Sequence, residues 1–271
     1  METSPQQAET QQDQDVVLQP STSEATSKNE ETSSFSKQYI WTIIFFIFQI
    51  LIIVCIGLVA KFDGVTHPNK FNPLDKGAAS TYVISSLYNS LKDVQVMVFI
   101  GFGCLYAYLR QHSVTSVGLN FILGAFTVEF SLIALTFLTW VFTDKWNKIE
   151  INLGSIFLAV YAGATVLISL GGTIGKLSLP QYMLMVVLET IFCALNSRLG
   201  EAKLYTVDLG GSMNIHTFGA FFGVAMTWVM FHGDKAKMQC KEKSDKISKT
   251  ISFIGTIFLW LYWPSFNTAN T

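Results

Sequence analysis

Residues 39–60 read YIWTIIFFIFQILIIVCIGLVA and contain no charged side chain. A bilayer core requires about 20 consecutive apolar residues for one helical crossing, and this stretch meets that length. Backbone amides in lipid must be hydrogen-bonded within their own segment, which favours a helix for a long run without two-residue alternation. The stretch therefore predicts a membrane-spanning helix, and the fold class follows from how often such stretches recur.

The composition of the whole chain agrees with a membrane protein. The 271 residues are 50% hydrophobic and only 14% charged, with 22 Phe and 6 Trp, a balance that soluble domains rarely show. The net charge of −1 says little about partners, and we expect no nucleic acid partner. The cysteines are widely spaced and mostly lie in apolar blocks, so we expect no disulfide framework, no zinc site and no cofactor. They are Cys55, Cys104, Cys193 and Cys240.

Six further apolar blocks follow the first, so the sequence predicts an all-α, polytopic helical membrane protein with about seven transmembrane helices. The predicted spans are residues 39–60, 94–109, 114–142, 151–174, 179–196, 212–231 and 250–267. Residues 1–37 are rich in Gln, Ser, Thr and Glu and nearly lack aromatic side chains, which predicts a disordered tail. Residues 38–271 are then the transmembrane domain, and the late start of the first block argues against a cleavable signal peptide.

The positions of lysine and arginine predict a cytoplasmic tail. With that orientation, the inner loops after the second span hold eight basic residues and the corresponding outer loops hold four. Most of the inner excess lies in the lysine-rich loop at residues 235–249. We therefore expect a multi-pass protein of the plasma membrane with its tail and this loop on the cytoplasmic side.

Three ionisable residues, Glu129, Glu189 and His216, fall inside the predicted spans. A charged or polar side chain facing lipid is unfavourable, so each should face protein or a cavity. We expect Glu129 and Glu189 to hydrogen-bond to neighbouring helices, and we assign them no function.

His216 lies in the stretch DLGGSMNIHTFGA at residues 208–220, where two chemical alternatives arise. Ser212 and His216 are four residues apart and could share a helix face as a hydrolase dyad, but no orienting third group or oxyanion donor can be identified. A metal site has even less support, because the next histidine, His232, would lie about 24 Å from His216 along a helix. We therefore do not expect an enzyme.

The same stretch also carries structural signals. Asp208 at a helix start is suited to accept backbone N–H groups and to complement the positive end of the helix dipole. Gly219 and Gly223 form a small-residue face on which another helix can pack closely.

Three stretches in order resemble the ammonium transporter and Rhesus glycoprotein family, and favour its Rhesus branch. Residues 208–222 resemble its signature of Asp, Gly-Gly and a pore histidine. DVQVMVFIGFG at 93–103 is similar to its first conserved helix, and FLWLYWPSFN at 258–267 is similar to its sixth. The similarity runs from about residue 39 to the last residues.

The resemblance implies a helical bundle that binds ammonium or ammonia and assembles as a homotrimer, or as a mixed trimer with full-length homologues. Each subunit would hold one narrow apolar pore across the lipid bilayer. An idealised penalty on the order of 20 kcal/mol for moving an ion into low dielectric favours passage of neutral ammonia over the intact cation.

The resemblance also implies roles for four pore residues. His216 matches the first of two pore histidines, and Phe266 matches one of two stacked phenylalanines that close the outer mouth. Asp208 matches a buried carboxylate that shapes the recruitment site. Tyr161 falls where the family usually has its other gate phenylalanine, and Ser197 falls where many Rhesus members have a vestibule glutamate, so the outer site departs from the family pattern.

The family core is an inverted repeat whose path runs between two halves, and this chain matches only the first repeat, the preceding helix and one helix of the second repeat. The resemblance thus implies a partial bundle without the second pore histidine. We expect a truncated Rhesus-type channel or transporter for ammonium or ammonia that is inactive alone. The alternative is a non-conducting membrane subunit that associates with full-length homologues.

Overall fold

The computed structural model describes residues 22–62, 78–143, 148–230 and 243–268, and helices dominate them. The helices are α1 (Thr22–Val59), α2 (Ala78–Gln95), α3 (Phe102–Leu105), α4 (Ser113–Thr143), α5 (Leu153–Thr173), α6 (Leu179–Leu199), α7 (Phe218–Met230) and α8 (Lys246–Thr268). Two short strands, β1 (Ala60–Phe62) and β2 (Ile149–Ile151), pair in parallel. Lys61 lies opposite Glu150 in this pair, and their side chains form an ion pair of 2.7 Å.

The chain divides into two compact units within α1, after Phe46. The first unit contains the described beginning of α1, and the second contains the rest of α1 and all the other described elements.

The start of α1 differs from the predicted disordered tail of residues 1–37. The helix begins at Thr22, so residues 22–37 are helical, while residues 1–21 lie outside the described residues. Extending an existing helix is far less costly than nucleating one, and the apolar part of α1 supplies the nucleus for this extension.

All seven predicted spans fall on helices, which confirms the all-α, polytopic class. Five stretches are long and apolar enough to cross a membrane: Tyr39–Val59, Leu87–Tyr108, Ser113–Thr143, Leu153–Thr173 and Leu179–Leu204. The sixth and seventh predicted spans are helical at residues 212–230 and 246–268, but within the described part of the chain they do not meet that criterion.

The second predicted span starts much earlier than expected, because α2 occupies part of the segment that was predicted to be a loop. The helical path continues from α2 through a π-helical turn (Val96–Gly101), α3 and a 3-10 turn (Tyr106–Tyr108). The Asn120 side chain of α4 donates to the main-chain oxygens of Val98 (3.3 Å) and Phe99 (3.0 Å) in the π-helical turn. Helix α2 is polar in composition, so a prediction based on apolar blocks did not include it.

Local capping signals fix where α5 and α6 begin. Asn152 accepts a hydrogen bond from the Ser155 N–H (2.8 Å), and the Ser155 hydroxyl accepts one from the Asn152 N–H (3.0 Å). Gln181 likewise accepts from the Ser178 N–H at 2.8 Å. These reciprocal boxes satisfy N–H groups that a helix start leaves without partners.

The second unit is organised around α5. Helix α4 packs against α5 and α6, α5 packs against α7, and α8 packs along the helical path of α2 and α3. The face of α7 that meets α5 is the predicted small-residue face. A Cβ added to Gly219 would lie 2.7 Å from the Thr165 main-chain oxygen, and one added to Gly223 would lie 2.7 Å from the Cα of Ser169. The two glycines therefore permit a close crossing.

Candidate functional site

The segment that carries His216 begins with a π-helical turn, Ser212–Thr217, which continues directly into α7. The main-chain oxygen of Gly211 accepts hydrogen bonds from the N–H groups of both Ile215 and His216, each at 2.9 Å. Gly211 has a φ of +66°, a left-handed conformation that favours glycine. Such π turns often occur at functional sites, and this one sets the direction of the His216 side chain.

Asp208 caps this turn through its side chain. Its Oδ2 accepts hydrogen bonds from the N–H groups of Met213 (3.0 Å) and Asn214 (2.8 Å), while its main-chain oxygen accepts one from Gly211 (3.1 Å). A carboxylate at this end also complements the helix dipole. The structure therefore places Asp208 at the helix start, where it orders the backbone leading to His216.

His216 lies among aromatic side chains of α8. Its ring centroid is 5.1 Å from that of Trp263 and 5.7 Å from that of Phe266, and the two α8 rings stack at 5.5 Å with an interplanar angle of 11°. The Nε2 atom of His216 is buried and has no hydrogen-bond partner among the described residues. We call His216, Trp263 and Phe266 the histidine–aromatic cluster. Its unpartnered nitrogen is available to a small solute that can donate or accept one hydrogen bond.

Tyr161 of α5 adjoins this cluster. Its ring centroid lies 4.6 Å from that of Phe266, and its hydroxyl donates a hydrogen bond to the Phe266 main-chain oxygen. That oxygen belongs to the last turn of α8, where carbonyls have no donor within the helix. On its other side, Tyr161 meets the Phe157 ring edge-on at 4.8 Å. The Tyr161 hydroxyl is therefore hydrogen-bonded to the backbone of α8.

The remaining intramembrane carboxyl groups contact neighbouring helices, as expected. Gln49 of α1 donates a hydrogen bond to Glu129 of α4. Ser169 of α5 lies within hydrogen-bond distance of Glu189 of α6, at 2.5 Å. Neither carboxyl group is part of the histidine–aromatic cluster.

Two cavities lie near these residues. One of about 110 Å³, between α4, α5, α6 and the π-helical turn, is lined by Tyr161, Asp208 and Ser197 among others, but not by His216 or Phe266. A larger cleft of about 580 Å³, lined by parts of α4, α5 and α6, contains none of the four predicted site residues. The structure thus joins His216, Phe266 and Tyr161 by ring contacts, and connects Asp208 to them through the backbone of the turn and through the smaller cavity.

Trp263 and Asn267 also lie beside these residues, although the resemblance assigned them no role. Trp263 stacks within the cluster, and a Cβ added to Gly210 would collide with the Asn267 side-chain oxygen. Ser265 donates a 2.7 Å hydrogen bond to Asp93. Residues 258–267 thus contact the other two stretches that resemble the family, residues 93–103 and 208–222. Their position within the third such stretch was the sequence signal that pointed to Trp263 and Asn267.

These features define a polytopic helical membrane protein with a histidine held against aromatic rings at a helix junction. The chain belongs to the Ammonium Transporter Family, whose family model matches residues 65–271. It is therefore a member of a family of membrane transport proteins and not an enzyme.

Individual relatives confirm the predicted Rhesus-type resemblance. The chain is 36% identical over 232 residues to "Ammonium transporter Rh type C" of Xenopus laevis, covering 84% of this chain and 48% of that protein. It is 30% identical over 250 residues to "Rhesus-like glycoprotein A" of Dictyostelium discoideum, covering 88% and 46%. The chain spans about half the length of these curated relatives.

A solved structure supports the same fold. The Nitrosomonas europaea Rh50 protein, described as one of the Rhesus protein family of channels, superposes with a TM-score of 0.61 and is 26% identical. The superposition covers 70% of this chain and 50% of that one.

Proposed function

We propose that this chain supplies one wall of a transmembrane path for ammonium or ammonia. The observation that carries the proposal is the buried, unpartnered Nε2 of His216 within the histidine–aromatic cluster. An imidazole nitrogen can replace one of the hydrogen bonds that ammonia loses on leaving water. Family membership supports the choice of substrate.

The chemistry of the cluster favours a neutral solute. Aromatic and aliphatic surroundings give little solvation to a cation, so ammonium gives its proton to water on the outer side and ammonia enters as the neutral molecule. Tyr161 and Phe266 form the aromatic pair at the entrance, and His216 offers the next hydrogen-bonding group. Asp208 orders the turn and contributes negative charge next to the smaller cavity, where a cation would be attracted.

The described residues leave the cluster open. Trp263 is 42% exposed, so a continuous path requires a second surface over the cluster. That surface belongs to further residues of the same protein or to another subunit. We propose trimeric assembly, with copies of the same protein or with full-length homologues, in the plasma membrane and with the tail on the cytoplasmic side. Part of the lysine-rich loop of that topology, residues 235–242, lies outside the described residues.

A chimera tests the proposed function. The chain is joined to the part of the Xenopus laevis relative that it does not match, and methylammonium uptake is measured in transporter-deficient cells with surface protein quantified. We expect uptake by the chimera and none by the 271-residue chain alone. A chimera that folds, reaches the surface and carries no methylammonium would contradict the proposed substrate. Equal uptake per molecule by the chain alone would contradict the need for a second wall.

A second candidate function is a non-conducting subunit that associates with full-length homologues. The open histidine–aromatic cluster, in which Trp263 is 42% exposed, favours it because another membrane protein would cover the unpartnered His216 nitrogen. Co-expression with a full-length relative separates the two candidates. The second predicts co-purification and a changed amount of the relative at the surface, without transport by the chimera.

A further inference from the structure

The junction of α5, α6 and α7 contains three oxygen atoms in a chain. The Ser169 hydroxyl oxygen lies 2.7 Å from the Gly219 main-chain oxygen and 2.5 Å from Oε1 of Glu189. Ser169 and Glu189 are fully buried. Each of the three groups comes from a different helix, so this contact holds the three helices at one point.

Counting hydrogens decides how these atoms can bond. A serine hydroxyl has one hydrogen to donate, a main-chain oxygen only accepts, and an ionised carboxylate only accepts. If Glu189 were ionised, one of the two short contacts would place two oxygen lone pairs together without a hydrogen between them. Both contacts become hydrogen bonds when Ser169 donates to Gly219 and Glu189 donates to Ser169.

The surroundings of Glu189 also disfavour an ionised carboxylate. The ion pairs of the described residues are Lys61–Glu150, Arg110–Asp245 and Arg198–Glu201, and none includes Glu189. Its second oxygen, Oε2, is buried and has no hydrogen-bond partner in this part of the chain. An ionised carboxylate without a cation or donors is strongly disfavoured in an apolar interior.

We propose that Glu189 is an uncharged carboxylic acid that donates its proton to the Ser169 hydroxyl, and that it is a positioning residue for the helix carrying His216. Gly219 lies three residues after His216 on the same continuous helix. The relay from Glu189 through Ser169 to Gly219 therefore fixes the depth of α7 against α5, where glycine permits close contact. The inference concerns the bonding of this junction and does not rest on ammonium passage.

Infrared spectroscopy of the purified chain in lipid nanodiscs at neutral pH tests the proton directly. A protonated carboxyl gives a carbonyl stretching band that is separate from the carboxylate bands and shifts in heavy water. We expect this band in the wild-type protein and its loss in Glu189→Gln. Glu201→Gln is the matched control, because Glu201 pairs with Arg198 at the surface. Glu129→Gln identifies any contribution from the other intramembrane carboxyl group.

Two further variants separate positioning from simple packing. The amide of Glu189→Gln can still donate to Ser169, so its melting temperature should stay near that of the wild type, whereas Glu189→Leu should melt lower. Ser169→Ala keeps the acid and removes its acceptor, so the band should persist at a higher frequency. A wild-type spectrum without the band, or a band unchanged in a folded Glu189→Gln protein, would overturn the proposal. If Glu189→Gln does not fold, an unshifted band in Ser169→Ala would overturn it.

Discussion

The Tyr161 hydroxyl donates a hydrogen bond to the main-chain oxygen of Phe266, and the centroids of the two rings lie 4.6 Å apart. One residue thus contacts both the ring and the backbone of the other. A tyrosine at this position adds a polar atom to the aromatic contact, and the end of α8 supplies an acceptor for it. The ring contact and the hydrogen bond therefore hold the last turn of α8 against α5, and the hydroxyl has a hydrogen-bond partner.

Removing that hydroxyl should weaken the fold and leave the aromatic pair in place. We expect Tyr161→Phe to reduce the free energy of unfolding by about 1 kcal/mol, because the Phe266 oxygen loses its donor in a buried place. Thermal unfolding of the purified protein measures this. Tyr205→Phe is the control, since Tyr205 is 84% exposed, and its effect should stay within about 0.5 kcal/mol. Equal effects of the two substitutions would show that the Tyr161 hydrogen bond contributes nothing specific.

The close crossing of α5 and α7 predicts a steric effect at Gly219. In Gly219→Ala the new methyl group would lie 2.7 Å from the Thr165 main-chain oxygen, so the helices must separate. We expect a loss of about 1–3 kcal/mol in unfolding free energy. The same substitution at Gly118 of α4 meets no atom within 4 Å and should stabilise by up to about 1 kcal/mol through helix propensity. A Gly219→Ala protein as stable as Gly118→Ala would contradict the packing of α7.

The Asp208 cap predicts a graded response to substitution. Asp208→Ala leaves the N–H groups of Met213 and Asn214 without their acceptor and should cost about 0.5–2 kcal/mol. Asp208→Asn retains a side-chain oxygen and should lose less. Chemical unfolding followed by circular dichroism compares the two. Equal losses for Asn and Ala would indicate that the charge of Asp208, and not its capping oxygen, supports the turn.

The start of α8 predicts a pH effect. The backbone N–H of Ser248 donates to Asp245, and together with the Ser248 hydroxyl and nearby Arg110 it lowers the pKa of Asp245 from its ordinary value of 3.8. A lowered folded pKa contributes stability that is present above the unfolded pKa and is lost as pH falls through the folded value. The stability difference between wild type and Asp245→Ala should therefore shrink below about pH 4. A constant difference across that range would contradict this linkage.

Much of the fold could be predicted because the lipid environment imposes simple length and polarity rules. The blocks at residues 39–60 and 151–174 are long and contain no charged side chain, so each was found directly. Helix α2 was missed because its polar residues resemble a loop when only apolar length is considered. The start of α1 was missed because composition alone does not show that a neighbouring helix can extend into a polar segment.

The site was predictable in part. His216, Phe266 and Tyr161 were chosen by resemblance, and the structure brings these three together. The hydrogen bond of Tyr161 and the stacking of Trp263 depend on where α8 crosses α5 and α7, which no local pattern encodes. The bonding proposed for Glu189 similarly requires knowing that α5 places Ser169 beside Glu189 and that α7 places the Gly219 main-chain oxygen beside Ser169.

Methylammonium uptake by the chimera with and without His216 tests the central claim most directly. Cells without their own ammonium transporters express the chimera, its His216→Ala variant and, as a control, a Val224→Ala variant of α7, with surface protein quantified in each. Val224 is 65% exposed. A lost hydrogen bond of about 1.4 kcal/mol in the path corresponds to an uptake about tenfold lower for His216→Ala. Surface amounts should stay near those of the parent, and Val224→Ala should transport normally. Undiminished uptake per surface molecule by the His216→Ala chimera would contradict a path along the histidine–aromatic cluster.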